Sequence, residues 1–264
     1  RYLCDNGVSD RFVYRREGVK SHISLAFLNE RNDACYQFYK DHAGVSLGGE
    51  LPSFSKGDIV LFGSFFAVNP AIREVVGRLL RDAHDAGAAL YYDVNFRAPH
   101  RADLPRVMGN IEENMRLSTI VRGSTEDFSL LYDMPSLLGP SAEQAVDRLY
   151  EERIKPLCPI FICTSGADSI YLRTPSLREN YPVAQIPTLS TVGAGDNFNA
   201  GFIYALSRLA EGNGCSPKHL LQSLALIGER GLESFISSGQ LFAQDVCRQF
   251  GNSISPELAA ELKR

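Results

Sequence analysis

The sequence has no C-x-x-C pair and no cysteine at a histidine spacing suited to zinc, which sets aside small zinc modules and dithiol redox motifs. Its six cysteines, Cys4, Cys35, Cys158, Cys163, Cys215 and Cys247, read instead as reduced, mostly buried thiols, and a cytoplasmic location is the expectation that goes with them. No stretch of about eighteen apolar residues occurs, so no membrane span is expected. The opening Arg1-Tyr2-Leu3-Cys4-Asp5 has none of the layout of a secretion signal. The 27 Lys and Arg residues are scattered and are outnumbered by 31 Asp and Glu, for a net charge of -4, so no nucleic-acid partner is expected and a small-molecule ligand suits the chain better. Internal repeats and low-complexity tracts are also missing. What is present, 264 residues of which 44% are hydrophobic, suffices for one large α/β core, and a single domain over 1–264 is expected.

Along the chain the hydrophobic period changes once. Up to residue 45 the pattern is β-like: Arg11 to Arg15 alternates, Ile23 to Leu28 is apolar, and Cys35 to Tyr39 follows a polar connection that suits a hairpin. Tyr36, Phe38 and Tyr39 either fill the face of that small sheet or face a ligand. After Pro52 the chain reads strand (59–64), helix (72–83), strand (88–92), an order that argues for parallel pairing with helices on both faces. Further strands are expected at 119–122, 159–163, 170–173 and 183–188, the last two at an edge, and further helices at 111–117, 141–153, 218–235 and 241–250. Polar residues just past the carboxyl ends of such strands are where open α/β sheets bind ligands, which makes Asp93, Asn95 and Arg97 candidates for phosphate or sugar contact, with ordinary loop capping as the alternative. Glu126 and Asp127 sit at another strand-to-helix turn, where two carboxylates would stabilise the helix start.

The chain is organised around Thr191-Val192-Gly193-Ala194-Gly195-Asp196-Asn197-Phe198, where two glycines flank an alanine and Phe198, Phe202, Leu206 and Leu209 then recur at helical spacing. The first N–H groups of a helix lack intrahelical partners and carry the positive end of its dipole, so small residues there let an anion of phosphate type approach the main chain. Asp196 stands where helix entry and anion pocket meet, placed to take a proton from a hydroxyl attacking a phosphorus held by those N–H groups. A capped tight turn is the alternative. The dinucleotide fingerprint fits poorly, because Phe198 occupies the place of its third glycine.

Ser190 to Asp196 resembles the Asp-Thr-x-Gly-Ala-Gly-Asp signature of the ribokinase-like (PfkB-type) carbohydrate kinases, and the Asn-Phe-x-Ala-Gly-Phe run that follows continues the resemblance. The resemblance implies a three-layer α/β/α sandwich with a mostly parallel central sheet over 55–264, plus a small β lid, mainly within 11–45, on which Tyr36 and Phe38 would face the sugar. It implies an ATP-dependent sugar kinase in which the N–H groups of Gly193, Ala194 and Gly195 form the anion hole and Asp196 is the base. Thr164 and Gly166 match the family's Thr-x-Gly-x-x-Gly nucleotide loop, whose last glycine is Ser169 here, and Thr191 belongs to the signature itself; Ala243 and Asn252 fall in the region that lines the adenine. An Asn-x-x-Glu element that positions magnesium, usually through water, maps to Ser124 and Asp127, with Glu126 the neighbouring acid. The family's leading aspartate is Ser190, so activation by a monovalent cation is not carried over. Asp93, Asn95 and Arg97 resemble the Asp-x-Asn-x-Arg element of fructokinases and 2-keto-3-deoxygluconate kinases, which turns the expected acceptor towards fructose, with the keto-acid sugar, other sugars and nucleosides as alternatives. A kinase-fold binding protein without turnover is the alternative from another class. A homodimer covering the lid strands is expected. The family's first strand, early aspartate and Gly-Gly-x-x-Asn element have no counterpart here, and central strands without neighbours would leave N–H and C=O groups unpaired, so about sixty residues carrying them are expected upstream in the complete protein.

Overall fold

The computed structural model of the chain describes residues 2–15, 17, 18, 20–28, 34–39 and 47–263, the side chains of 34–36, 38, 224, 225, 229 and 230 excepted. Two strands, β1 (Ile23–Leu28) and β2 (Ala34–Tyr39), pair antiparallel in a sheet of their own, as the apolar run at 23–28 and the polar connection after it anticipate. Arg11 to Arg15 form no strand. Tyr14 instead donates its hydroxyl to the Glu50 carbonyl at 2.7 Å, Arg11 pairs with the Glu50 carboxylate, and Tyr2–Asp5 make one short helical turn, α1.

The main sheet has six strands in the order of the sequence: β3 (Ile59–Gly63), β4 (Ala89–Asp93), β5 (Ile120–Ser124), β6 (Ile160–Ser165), β7 (Ser169–Arg173) and β8 (Arg178–Pro182). The first four are parallel and the last two antiparallel. Parallel neighbours need a crossover, and helices supply it: α2 (Arg73–Asp85), α3 (Leu104–Leu117), α4 (Thr125–Tyr132) and α5 (Ala142–Leu149), the last running into a π turn at Tyr150–Ile154. After β8 come α6 (Ala194–Asn213), α7 (Pro217–Gln222), α8 (Leu224–Cys247) and α9 (Pro256–Glu261).

The alternation of strand side chains sorts these helices into two layers. Leu90 packs with Val76, Leu80 and Ala83 of α2, and Tyr92 with Val107, Ile111 and Met115 of α3, in the same layer as Phe128, Val146 and Leu149. Ala89 and Tyr91 face the opposite way, where Ile120, Ile162 and Leu172 meet Phe198, Phe202 and Leu206 of α6 and Leu232, Phe235 and Ile236 of α8. The result is a three-layer α/β/α sandwich with a mostly parallel sheet, as the strand-helix-strand pattern implied.

Several boundaries differ from the sequence pattern for identifiable reasons. β3 is only half-buried, because among the described residues it pairs only with β4. The strand expected at 183–188 lies at Arg178–Pro182, where Pro182, with no N–H to donate, ends the ladder. β7 lies inside the sheet rather than at its edge. The helices expected at 218–235 and 241–250 are divided elsewhere. Ser216 caps α7 with Pro217 in its first turn, and α8 runs unbroken through 236–240 after a break at Gly228, whose φ is 59°.

Candidate active site

Because β3 to β6 are parallel, their carboxyl ends share one edge, and the amino end of α6 points at the same edge. A cavity of about 330 Å³ opens there, lined by Ser64, Phe65 and Phe66 after β3, by Asp93, Asn95, Arg97 and His100 after β4, by Arg122 of β5, and by Thr191, Gly193, Gly195 and Asp196. Ser24 of the hairpin also reaches it. Asp196 is therefore brought together with Asp93, Asn95 and Arg97, from which it is far removed in the chain.

The entry to α6 explains its glycines. Gly193 is the N-cap with φ 78°, and a Cβ there would fall 1.6 Å from Oδ1 of Asn252. Asn252 is thus packed against the loop itself. Ala194 donates its N–H to the Thr191 carbonyl at 3.2 Å, and Ser190, buried, accepts from the Val192 N–H at 3.1 Å, so serine serves the turn that an aspartate would otherwise fill. Asn197 closes the first helical bond to Gly193, which leaves the N–H groups of Gly195 and Asp196 in the turn that has no partner within the helix.

Beneath Gly195 lies the guanidinium of Arg122, whose Nη1 would be 3.2 Å from an added Cβ. Arg122 is buried; it donates to Asp93 at 3.1 Å and to Thr164 Oγ1 at 3.1 Å, and its face covers the Phe198 ring. Asp93 also accepts from Asn199 Nδ2 at 2.7 Å, and Asn199 in turn accepts from Tyr91 Oη at 3.2 Å. A buried charge requires such partners. Arg122 and Asn199 are the site residues the motifs do not reveal. An arginine directly after the apolar Ile120-Val121 of a predicted strand is the signal for one of them, since a charge on a buried strand position must be paired.

Asp196 occupies the third position of α6, open to the cavity, yet the walls around it desolvate its carboxylate in part. That burial, and next the negative charge of Asp93, push its pKa above the ordinary aspartate range, against the opposing pull of Arg122 and Arg97.

Asp127 is 2% exposed and completes a capping box at the start of α4: its Oδ2 accepts from the Ser124 N–H at 2.7 Å and from the Ser124 hydroxyl at 2.8 Å, while Ser124 Oγ accepts from the Asp127 N–H. The other carboxylate oxygen is buried with no hydrogen-bond partner and faces Arg97 Nη1 at 3.7 Å. Burial raises the Asp127 pKa, and Arg97 and the Ser124 N–H oppose that. Asp127 and Glu126 line a neighbouring depression that shares Arg97 with the main cavity. Among the described residues no three His, Cys, Asp or Glu side chains converge on one point. Thr164 reaches the site through Arg122, Gly166 lies in an open turn with φ 49°, and Ala243 packs against the core beside α6. The side chains of Tyr36 and Phe38 lie outside the described residues.

A helix entry with N–H groups unpaired within the helix, a carboxylate in its first turn and a buried arginine thus meet at the carboxyl edge of a parallel sheet. The model of the pfkB family of carbohydrate kinases matches residues 1–257, and the chain belongs to that family. It is 25% identical over 207 residues to the aminoimidazole riboside kinase of Salmonella typhimurium, covering 77% of this chain and 62% of that one. To a fructokinase of Vibrio alginolyticus it is 22% identical, covering 79% and 66%. The chain thus spans less than two thirds of these relatives' length. Among solved structures, the aminoimidazole riboside kinase from Salmonella enterica complexed with aminoimidazole riboside and an ATP analog superposes with a TM-score of 0.72 at 22% identity, over 99% of this chain and 80% of that one. The apo fructokinase from Vibrio cholerae O395 gives 0.70 at 19% identity, over 95% and 79%. Relatives named for fructose, for a riboside and for a deoxygluconate all occur.

Proposed function

We propose that the chain forms the phosphoryl-transfer part of an ATP-dependent kinase acting on a hydroxyl of a small sugar or riboside. The observation that carries the reading is that Asp196 and the partnerless N–H groups of the α6 entry face one cavity with Arg97 and Arg122. Asp196 takes the proton of the acceptor hydroxyl as its oxygen bonds to the γ-phosphorus, and the bond from that phosphorus to the leaving oxygen of ADP breaks. The N–H groups of Gly195 and Asp196 hold the charge on the phosphoryl oxygens, and Arg122 below them supplies a fixed positive charge that needs no rearrangement. Arg97, 41% exposed, is free to turn towards a phosphate or an acidic acceptor.

Magnesium fits this donor set. The Asp127 oxygen that lacks a hydrogen-bond partner and faces Arg97, with Glu126 beside it, would offer carboxylate oxygen to such an ion. Such an ion would neutralise charge on the nucleotide's phosphates.

The test is ADP release with Mg-ATP against fructose, ribose, 2-keto-3-deoxygluconate, aminoimidazole riboside and adenosine. Asp196→Asn is expected to fold and to lose roughly 10²-fold to 10⁴-fold in turnover, the range for a general base. Turnover near that of the wild type in this variant would remove Asp196 from the mechanism.

A further inference from the structure

Ser64 and Asn95 stand out in the cavity because both hold a backbone conformation that favours glycine, with φ of 55° and 38°. Among the described non-glycine residues only Asp133 shares a positive φ, and it does so as the residue that ends α4. Ser64 and Asn95 close no helix. They follow the adjacent strands β3 and β4 and are tied across them: the Ser64 N–H donates to the Asp93 carbonyl at 3.1 Å, and Asn95 Nδ2 donates to Ser64 Oγ at 3.0 Å. Glycine would sit at either position without strain but would bring no polar group. Strain of this kind persists where a side chain is required at that point.

What the two side chains offer is specific. Ser64 Oγ accepts from Asn95 and keeps its own proton to donate, while Asn95 Oδ1 is buried with no hydrogen-bond partner. However the amide is turned, the pair presents one donor and one acceptor, the complement of a hydroxyl, which both donates and accepts. Beside it the Phe65 ring stacks on His100, centroids 3.8 Å apart and nearly parallel at 8°, giving the cavity a flat wall against which the C–H face of a ring can lie.

We propose that the Ser64–Asn95 pair is the element that reads a neutral ring hydroxyl of the acceptor, holding it in the cavity that Asp196 serves. The proposal rests on the kinase reading above and adds the residues that select and position the acceptor. An anionic group of the acceptor or nucleotide falls to Arg97, since the pair carries no charge.

The test is Ser64→Gly, with Asn95→Gly as the second variant. Glycine relieves the backbone, so the Tm of each variant is expected to equal or exceed that of the wild type. Loss of one substrate hydrogen bond is expected to raise the acceptor KM roughly tenfold while the KM for Mg-ATP stays put. The acceptors used are fructose, ribose, aminoimidazole riboside and adenosine. An acceptor KM that does not move, or a KM for Mg-ATP that rises as much, overturns the pair's role and leaves the kinase reading standing. Wild-type protein that releases no ADP in response to any of the four overturns both.

Discussion

At the scale of single residues the site is a balance of charges around one carboxylate. Asp196 must be ionised to accept a proton, and its partial burial together with Asp93 raises its pKa, so the rate falls as pH falls through a value above the ordinary aspartate range. Asp93→Asn removes the like charge and keeps the shape, and the acid limb of kcat/KM is expected to move to lower pH. Arg97→Met removes a favourable charge and should move the limb the other way. A pH profile of the two variants checks both signs, and shifts in the same direction would contradict the assignment of the limb to Asp196. The linkage to stability has the opposite sense: a carboxylate whose folded pKa is raised binds its proton more tightly in the folded state, so its contribution is present below the unfolded pKa and lost as pH rises through the folded one. Asp196→Asn is accordingly expected to be no less stable than the wild type at neutral pH, and an unchanged Tm would separate its expected loss of turnover from unfolding.

At the scale of elements, the position of that carboxylate depends on how closely α6 lies against α8. A Cβ on Gly201 would stand 2.3 Å from the Ser238 carbonyl oxygen, and one on Gly239 would stand 2.7 Å from the Phe198 ring, so the two helices touch through their glycines. Gly201→Ala forces them apart and is expected to cost about 1–3 kcal/mol, the range for overpacking. Thermal unfolding would show this as a Tm lower by several degrees, and an unchanged Tm would mean the helices have room to spare. The Gly-Ala-Gly-Asp loop and the amphipathic helices were legible because each rests on a local rule, glycine at a helix entry or apolar residues at helical spacing. The Gly201 contact was not, because it depends on which residue of a distant helix lies opposite. Arg122 and Asn199 escaped for the same reason: their roles come from Asp93, brought beside them by the strand order.

At the scale of the whole molecule, sheet, hairpin and helix entry surround one cavity, so a ligand that fills it binds the folded chain alone. The alternation from residue 59 onward was enough to foresee parallel strands with helices on both faces. It could not foresee that β3 would be half-buried, since burial depends on neighbours that periodicity does not name. Binding only to the folded state adds RT ln(1 + [L]/Kd), about 2.7 kcal/mol at a hundredfold excess over Kd. For a chain of this size each kcal/mol raises Tm by roughly 2–4 °C, so saturating Mg-ATP is expected to raise it by about 5–10 °C. Asp196→Asn should keep that rise, because the base acts on the acceptor and not on the nucleotide. Gly193→Ala should lose it: the added Cβ meets Asn252 Oδ1 at 1.6 Å, and φ of 78° disfavours alanine, so the loop must shift and its N–H groups turn away from the phosphate. Each variant is compared with its own ligand-free Tm, which separates lost binding from lost stability. A full rise in Gly193→Ala would mean that the nucleotide is held elsewhere and that the loop's N–H groups are not its phosphate site.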